Sequence, residues 1–292
     1  MEKIGIITDE AADLPREIIE KYQIAIVPVK LDWPELENLP GENTFQKMRE
    51  LEKKGIKSFG KTSQPSPKDF IDKYKYRLER FEKIICITLT SKHSGTLNSA
   101  IQGKNFLPEE DQERVYVIDS LHASASQALL IFKTIDLIES GKTAKEIVKE
   151  LEEFRSKIRF FAMFEDPKWL EASGRISPLI AKFFRTMANR GIRALMTLRH
   201  GKLIPGGIRT HAQDTVMVFF KQFEKENQKS RQENKKIRIV ITHGDDLASA
   251  KRLKEIIEKE YANARVAFIN IINNVVGAPT GPNTLICAWC EV

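Results

Sequence analysis

The sequence is 292 residues long, 41% hydrophobic and 30% charged, a composition typical of globular proteins. Its length suits about two domains of ~150 residues. The net charge of +7 mildly favours acidic partners. The densest basic stretch, residues 221–236, also carries glutamates, so we expect a solvated helix there and no nucleic-acid binding.

No apolar run approaches the ~20 residues of a membrane span, and the N-terminus lacks a signal-peptide layout. We therefore expect a cytoplasmic protein.

The first half of the chain alternates strand patterns with helix patterns. Apolar runs predict strands at 4–8, 24–31, 83–89 and 115–119. Capping residues and prolines predict helices that begin near 13–15 and span 44–55, 66–80, 95–106, 120–141 and 143–157. Residues 31–43 contain two prolines, Pro34 and Pro40, and predict an irregular surface loop. Alternation of this kind predicts an α/β fold with a largely parallel sheet flanked by helices.

The second half continues with strands and helices in a less regular order. Strands are expected at 160–164, 194–199, 202–204, 237–242, 266–272 and 284–290, with a hairpin turn at His200 and Gly201. Helices are expected from 166, from 177, from about 211, and at 246–261. We place the boundary between the two α/β domains after residue 157, which gives an N-terminal domain of residues 1–157 and a C-terminal domain of residues 158–292.

Cysteines and histidines give no sign of a redox or metal site. The odd number of cysteines does not suggest a disulfide framework, and the pair Cys287 and Cys290 lies in a predicted strand, where thiols pack as small apolar groups. The histidines are scattered without the spacing of metal ligands, so we expect surface or loop histidines and no bound metal.

Hydroxyl side chains collect after the predicted strands of the first half and ahead of the helix predicted at 66–80. The first hydroxyl loop, residues 61–67, reads Lys-Thr-Ser-Gln-Pro-Ser-Pro, and the second hydroxyl loop, residues 90–99, contains Ser94, Gly95 and Thr96. In open parallel sheets, ligands bind outside the carboxyl ends of the strands. Hydroxyls and free N–H groups at a helix start form an anion site, whereas simple N-capping is the alternative for each loop taken alone.

Other kinds of site fit this sequence poorly. It lacks the Gly-rich turns of nucleotide-binding proteins. A serine hydrolase acting through Ser94 would need a base, and the neighbouring His93 is poorly placed to serve as one. The residues alone therefore indicate an anion site, with a Ser94 hydrolase as the less favoured alternative. Together with the family resemblance described next, they lead us to expect a binding protein without catalytic residues and without a cofactor.

The two hydroxyl loops and several shorter motifs resemble the DegV family of bacterial fatty-acid-binding proteins. The matching segments span nearly the whole chain: Thr8-Asp9, Ala12-Asp13-Leu14-Pro15, Thr62-Ser63-Gln64-Pro65-Ser66-Pro67, Ser94-Gly95-Thr96, Ser99-Ala100, Val117-Ile118-Asp119-Ser120, Gly174-Arg175, Arg209-Thr210 and His243-Gly244. The order and spacing of the two hydroxyl loops are specific, whereas any one segment alone would be a weak signal.

The resemblance implies two α/β domains with a tunnel for the acyl chain at the domain interface. It implies that Thr62 and Ser94 hold the carboxylate of a long-chain fatty acid such as palmitate, with Ser63, Gly95 and Thr96 nearby. It further implies that the protein presents the fatty acid to a separate soluble kinase subunit, which forms acyl phosphate.

The resemblance also suggests roles outside the two hydroxyl loops. It implies that Arg175 and Arg209 contact the kinase or the phosphate; a surface ion pair is the alternative for each. The sequence and the resemblance together lead us to expect a monomer that makes transient contact with a membrane surface.

One departure from the family pattern lies near the C-terminus, in the Gly- and Pro-rich segment 277–283, which we expect to be a loop. The family carries a histidine there within a Gly-x-His-x-Gly-Pro-Gly pattern, whereas this chain has Pro279 at the histidine position and Asn283 at the last glycine. Proline can neither donate a hydrogen bond nor carry charge, so the change puts transfer to a kinase in doubt more than lipid binding. Thr280 is the remaining candidate for a head-group contact in this segment. A lipid-binding protein without a kinase partner is therefore the main alternative function.

Overall fold

The computed structural model describes residues 2–188, 193–209 and 214–292. Its helices and strands, in chain order, are β1 (Ile4–Asp9), α1 (Arg16–Lys21), β2 (Ala25–Val27), β3 (Lys30–Asp32), α2 (Thr44–Lys53), β4 (Lys61–Ser63), α3 (Pro67–Leu78), β5 (Lys83–Thr88), α4 (Thr96–Asn105), α5 (Glu109–Gln112), β6 (Val115–Asp119), α6 (Ala125–Glu139), α7 (Ala144–Phe154), β7 (Arg159–Met163), α8 (Lys168–Ala172), α9 (Pro178–Ala188), β8 (Arg193–Arg199), β9 (Lys202–Arg209), α10 (Thr215–Gln232), β10 (Ile237–His243), α11 (Leu247–Glu260), β11 (Ala264–Ile271), α12 (Asn274–Thr280) and β12 (Leu285–Glu291).

The chain divides into two compact units that are not contiguous in sequence. Unit 1 comprises the residues up to Lys30 with Ser63–Ile158 and His200–Lys202, and unit 2 comprises Leu31–Thr62, Arg159–Arg199 and Leu203–Val292. This division differs from the single cut predicted after residue 157, because residues 31–62 group with unit 2. Thr62 therefore belongs to unit 2, whereas Ser63 and the second hydroxyl loop belong to unit 1.

Unit 1 is built on a parallel sheet with the strand order β2-β1-β5-β6. Ile84 and Cys86 of β5 pack with aromatic residues of α3 in one core cluster. Ile85 and Ile87 alternate with them and are also buried, so both faces of the strand are covered. Strand order reverses between β1 and β5, and the carboxyl ends at such a reversal are the usual ligand position in open α/β sheets. The predicted parallel α/β unit is confirmed.

Unit 2 contains a mixed sheet with the order β11-β10-β12-β7-β8-β9. β10 pairs in parallel with β11, whereas β12 runs antiparallel to both β10 and β7. Its core includes Phe219 and Phe223 of α10, Leu253 of α11 and Trp289 of β12. The terminal strand thus lies within the sheet, and Cys287 and Cys290 are buried in it, as expected.

Several helix starts follow the capping signals in the sequence. Ser66 and Asp69 form a reciprocal capping box before α3, and Thr143 and Glu146 form another before α7. Each box satisfies backbone N–H groups that have no partner within the helix. Helix α2 begins at the expected place, but its cap is Asn43, whose side chain accepts from Gln46 N.

Three local predictions are wrong. The apolar run at 24–31 forms two separate strands, β2 and β3, because Pro28 interrupts it and cannot donate to a strand ladder. The Gly- and Pro-rich segment predicted as a loop contains α12, whose start is capped by the Asn273 side chain accepting from Val275 N and Val276 N. The expectation of surface or loop histidines fails at His243, which ends β10 and is 6% exposed, whereas His122 lies in a loop but is buried there.

No helix among the described residues is both long and apolar enough to span a membrane.

Candidate functional site

Ser94 forms a tight hydrogen-bonded turn at the start of α4. Its Oγ accepts from Thr96 N at 3.2 Å and lies 2.8 Å from Thr96 Oγ1. Thr96 is fully buried, whereas Ser94 is partly exposed. Gly95 is the cap residue, and its carbonyl accepts from Ser99 N. The turn therefore places a partly exposed hydroxyl at a helix N-terminus, where the helix dipole favours an anion.

Two carboxylates, at the ends of β1 and β6, hold the chain where it leaves β5, the strand between them. Asp119, at the end of β6, accepts from Ser91 N at 3.3 Å and from Leu121 N at 2.9 Å. Asp9, at the end of β1, accepts from Leu89 N at 2.7 Å and from Ala11 N at 3.0 Å. These bonds hold the backbone that leads from β5 to Ser94. Asp9 lies at the point where the strand order reverses.

Asp9 is completely buried, and this burial dominates its protonation. Desolvation raises the pKa of Asp9 to about 6, against the hydrogen bonds from Leu89, Gln127 and Ala11, which favour the carboxylate. The side chain of Gln127 donates to Asp9 and to Thr8 Oγ1 and closes this network.

Thr62 has a charged partner within unit 2. Nη2 of Arg175 donates to Thr62 Oγ1 at 2.7 Å, while Nη1 of the same guanidinium donates to Ser173 O at 3.0 Å. Gly174, with a φ of +72°, provides the left-handed turn that ends α8 and directs Arg175. Arg175 is half-buried, and desolvation lowers its pKa from the usual value for arginine. Arg175 was predicted to contact a kinase or phosphate, and its contact here is Thr62.

The other predicted site residues have different surroundings. Ser63 is exposed at the end of β4. Thr280 is buried in α12, and its hydroxyl donates back to Val276 O at 2.8 Å, so that proton is engaged within the helix. Arg209 ends β9, but its side chain lies outside the described part of the structure, as do Thr210 and His211.

Asn283 uses its side chain to join segments of unit 2. Its Nδ2 donates to Glu165 Oε2 at 2.7 Å, and its Oδ1 accepts from Arg49 Nη2 at 2.8 Å. Arg49 also bonds Asp245 Oδ2 at 2.5 Å. The φ of Asn283 is +56°, a conformation that glycine and asparagine adopt most readily. Asparagine therefore keeps the backbone geometry of the glycine found in the family pattern and adds two hydrogen bonds.

The motifs that resemble the family contain Asp9, Asp119 and Gln64, but the sequence alone indicates no role for these residues. The signal available for Asp9 and Asp119 was an acidic residue directly after an apolar strand. Among residues 2–188, 193–209 and 214–292, no group of His, Cys, Asp and Glu side chains could hold a metal ion.

Similarity to known proteins extends over the whole chain. Residues 3–291 match the family described as "uncharacterised protein, DegV family". A DegV domain-containing protein of Clostridium perfringens is 34% identical over 77% of this chain and 78% of its own length. A protein of Thermotoga maritima named fatty acid-binding protein is 29% identical over 97% of this chain and 96% of its own.

A solved structure shares the fold. The stearic acid-binding protein of Eubacterium ventriosum superposes with a TM-score of 0.83 at 23% identity, covering 100% of this chain and 98% of that one. Because the family model matches residues 3–291, nearly the whole chain, this chain is a member of the DegV family.

Proposed function

We propose that this protein binds one long-chain fatty acid without chemically altering it, and that Thr62 and Ser94 donate hydrogen bonds to its carboxylate. Ser63, Gly95 and Thr96 lie close to the head group in this proposal, and the acyl chain occupies an apolar tunnel. The support is membership of the DegV family, together with relatives whose names state that they bind fatty acids, stearic acid in one case.

The observation that carries the proposal is the way each hydroxyl is bonded within its own unit. Thr62 Oγ1 accepts from Arg175, so the Thr62 proton is free for another acceptor. Ser94 Oγ accepts from Thr96 N and, when Thr96 Oγ1 is the donor of their shared bond, Ser94 too keeps its proton for a ligand. Both hydroxyls can therefore donate a hydrogen bond to a bound carboxylate.

The acyl chain and the head group contribute differently to the free energy of binding. Each buried CH₂ contributes about 0.8 kcal/mol, so the methylenes of palmitate contribute roughly 11 kcal/mol before association costs. A hydrogen bond to a charged group contributes about 1.5–3 kcal/mol. The tail therefore dominates binding, while the hydroxyls prevent a buried carboxylate from being left without donors.

Native mass spectrometry of the purified protein tests the function itself. We expect a bound fatty acid to co-purify, or stearic or palmitic acid to bind stoichiometrically after delipidation. A protein that carries no fatty acid and takes up neither acid would refute the proposal.

The head-group assignment is tested by the double variant Thr62→Val/Ser94→Ala. We expect about 100-fold weaker binding of stearic acid, because two hydrogen bonds to a charged group are lost. Binding of octadecanol, which has no charge to satisfy, should change much less.

The matched control carries the same chemical changes at exposed positions, Thr186→Val/Ser156→Ala, whose hydroxyls donate to Lys182 O and Glu153 O. It should bind stearic acid as the wild type does. If the Thr62/Ser94 variant retains full affinity for the acid, the carboxylate is held elsewhere.

Presentation of the lipid to a soluble kinase subunit is the extension that the family resemblance implies. Pro279 occupies the position of the family histidine, so we expect lipid binding to persist even where transfer is slow. Mixing the loaded protein with a bacterial fatty acid kinase and ATP distinguishes the two functions: acyl phosphate supports the carrier, and bound lipid without acyl phosphate supports the lipid-binding alternative. The monomeric state, the membrane-surface contact and the cytoplasmic location stay predictions.

A further inference from the structure

The carboxamide of Gln64 lies against the first turn of α4. Its Nε2 donates to Ser99 Oγ at 3.0 Å. A Cβ atom built on Gly95 would lie 2.5 Å from Gln64 Cδ and closer still to Gln64 Oε1. The amide therefore occupies the space that any side chain at position 95 would need.

The backbone of Gly95 does not itself require glycine. Its φ of −81° and ψ of 8° lie in a region that other residues adopt. Close packing by Gln64 accounts for the glycine without invoking backbone strain.

Ser99 gives the Gln64 amide a firm anchor. Its side chain is 1% exposed, and its N–H donates to Gly95 O at 3.1 Å, so Ser99 and Gly95 belong to the same helical turn. Gln64 thus bonds one end of this turn and packs on the other. Thr96 follows Gly95 as the first residue of α4, and its hydroxyl shares a hydrogen bond with the Ser94 hydroxyl.

We infer that Gln64 is the positioning residue of the Ser94 turn, holding the first turn of α4 so that the Ser94 hydroxyl points to the carboxylate of the fatty acid. This role rests on the proposed function. Gln64 acts through the turn, and its packing on Gly95 makes those two residues energetically coupled.

A double-mutant cycle with Gly95→Ala and Gln64→Ala measures that coupling. We expect Gly95→Ala to weaken stearic acid binding about threefold, because the new methyl group displaces the flexible end of Gln64 and breaks its bond to Ser99. Gln64→Ala should weaken binding by about threefold. Adding Gly95→Ala to Gln64→Ala should cost less than about twofold more, because the clash is gone.

Octadecanol separates positioning from general damage to the fold. A displaced Ser94 hydroxyl should weaken the acid and leave the alcohol nearly unchanged, whereas a loosened tunnel would weaken both ligands. Equal losses for both ligands in Gln64→Ala would overturn the positioning role.

Gly103→Ala in the same helix is the matched control. Its Cβ would meet Phe70 Cβ at 2.8 Å and Pro67 O at 2.9 Å, so the clash does not involve Gln64. Its effect on the urea midpoint should be the same with and without Gln64→Ala. The inference is wrong if Gly95→Ala behaves like Gly103→Ala and adds fully to Gln64→Ala.

The same cycle, measured by urea unfolding, keeps this inference separate from the proposed function. A wild type that binds no stearic acid refutes the proposed function and the positioning role with it, while the unfolding cycle still decides the Gln64–Gly95 coupling. A wild type that binds stearic acid but shows additive variants refutes the inference alone.

Discussion

Arg175 donates a hydrogen bond to the Thr62 hydroxyl, and substituting Arg175 measures what this bond contributes to fatty-acid affinity. Because the guanidinium both orients the Thr62 hydroxyl and brings positive charge near it, we expect Arg175→Met to weaken stearic acid binding about tenfold or more. The control is Arg16→Met, which removes an exposed ion pair with Glu20. Equal affinities for the two variants, measured by calorimetric titration, would show that Arg175 does not act on the head group.

Asp9 should make the stability of the fold depend on pH. Its folded pKa of about 6 exceeds the unfolded value of 3.8, so the native state binds the extra proton between these values and the Asp9 contribution falls as pH rises through this range. The loss amounts to about 3 kcal/mol.

His122 opposes Asp9 over nearly the same range. Burial lowers the pKa of His122 to about 4 from 6.5, so its contribution to stability rises with pH. The two contributions therefore partly cancel in the pH dependence of the wild-type stability. Urea unfolding of Asp9→Asn and the wild type should give a difference in stability that shifts against the wild type between pH 4 and pH 7. A difference independent of pH would contradict the raised pKa.

At the residue scale, the sequence identified the hydroxyls but not their partners. Ser94 stands out because hydroxyls after a strand form a recognisable pattern, and Thr62 because its hydroxyl precedes a predicted helix. Arg175 lies 113 residues from Thr62 in sequence, and no local pattern predicts that their side chains bond. Thr280 was a reasonable candidate by composition, yet only the helical backbone of α12 shows that its proton is already used.

At the scale of elements, the turn after α12 needs glycine at position 281 for two reasons: a left-handed backbone and close packing by Trp169. Gly281 has a φ of +83°, and a Cβ there would lie 2.7 Å from Trp169 Nε1. Gly55 also has a positive φ, +68°, but no atom lies within 4 Å of a Cβ there.

Comparing alanine at the two glycines separates steric overlap from backbone strain. Both variants should lose about 1–2 kcal/mol of unfolding free energy through the left-handed conformation, and Gly281→Ala should lose about 1–3 kcal/mol more through the clash. Urea unfolding measures both. Similar losses would mean that Trp169 moves aside at little cost.

Most elements were predictable because buried parallel strands read as apolar runs, and helix starts carry capping residues. The exceptions have local causes. Residues 24–31 have one alternating pattern but contain Pro28, and α12 contains Gly277 and Pro279, which favour a loop in isolation. Tertiary packing decides such segments: the space at Gly277 is filled by Phe45, whose ring carbon Cζ would lie 2.6 Å from a Cβ there.

At the scale of the whole molecule, the α/β class was predictable, but the path of the chain between units was not. Residues 31–62 lack any composition that assigns them to one unit. Their membership of unit 2 follows from contacts such as the Trp33 ring with Trp169, at 5.9 Å between centroids, and Phe59 with Trp169 at 5.3 Å. These pairs join residues more than a hundred positions apart, which single-sequence patterns do not reveal.

The central claim is that Thr62 and Ser94 together hold a fatty-acid carboxylate. A crystal structure of the protein with stearic acid tests it most directly. We predict carboxylate oxygens within about 2.5–3.0 Å of both Thr62 Oγ1 and Ser94 Oγ, with Arg175 still bonded to Thr62. A carboxylate bound away from these hydroxyls, with the acyl chain in another cavity, would contradict the claim.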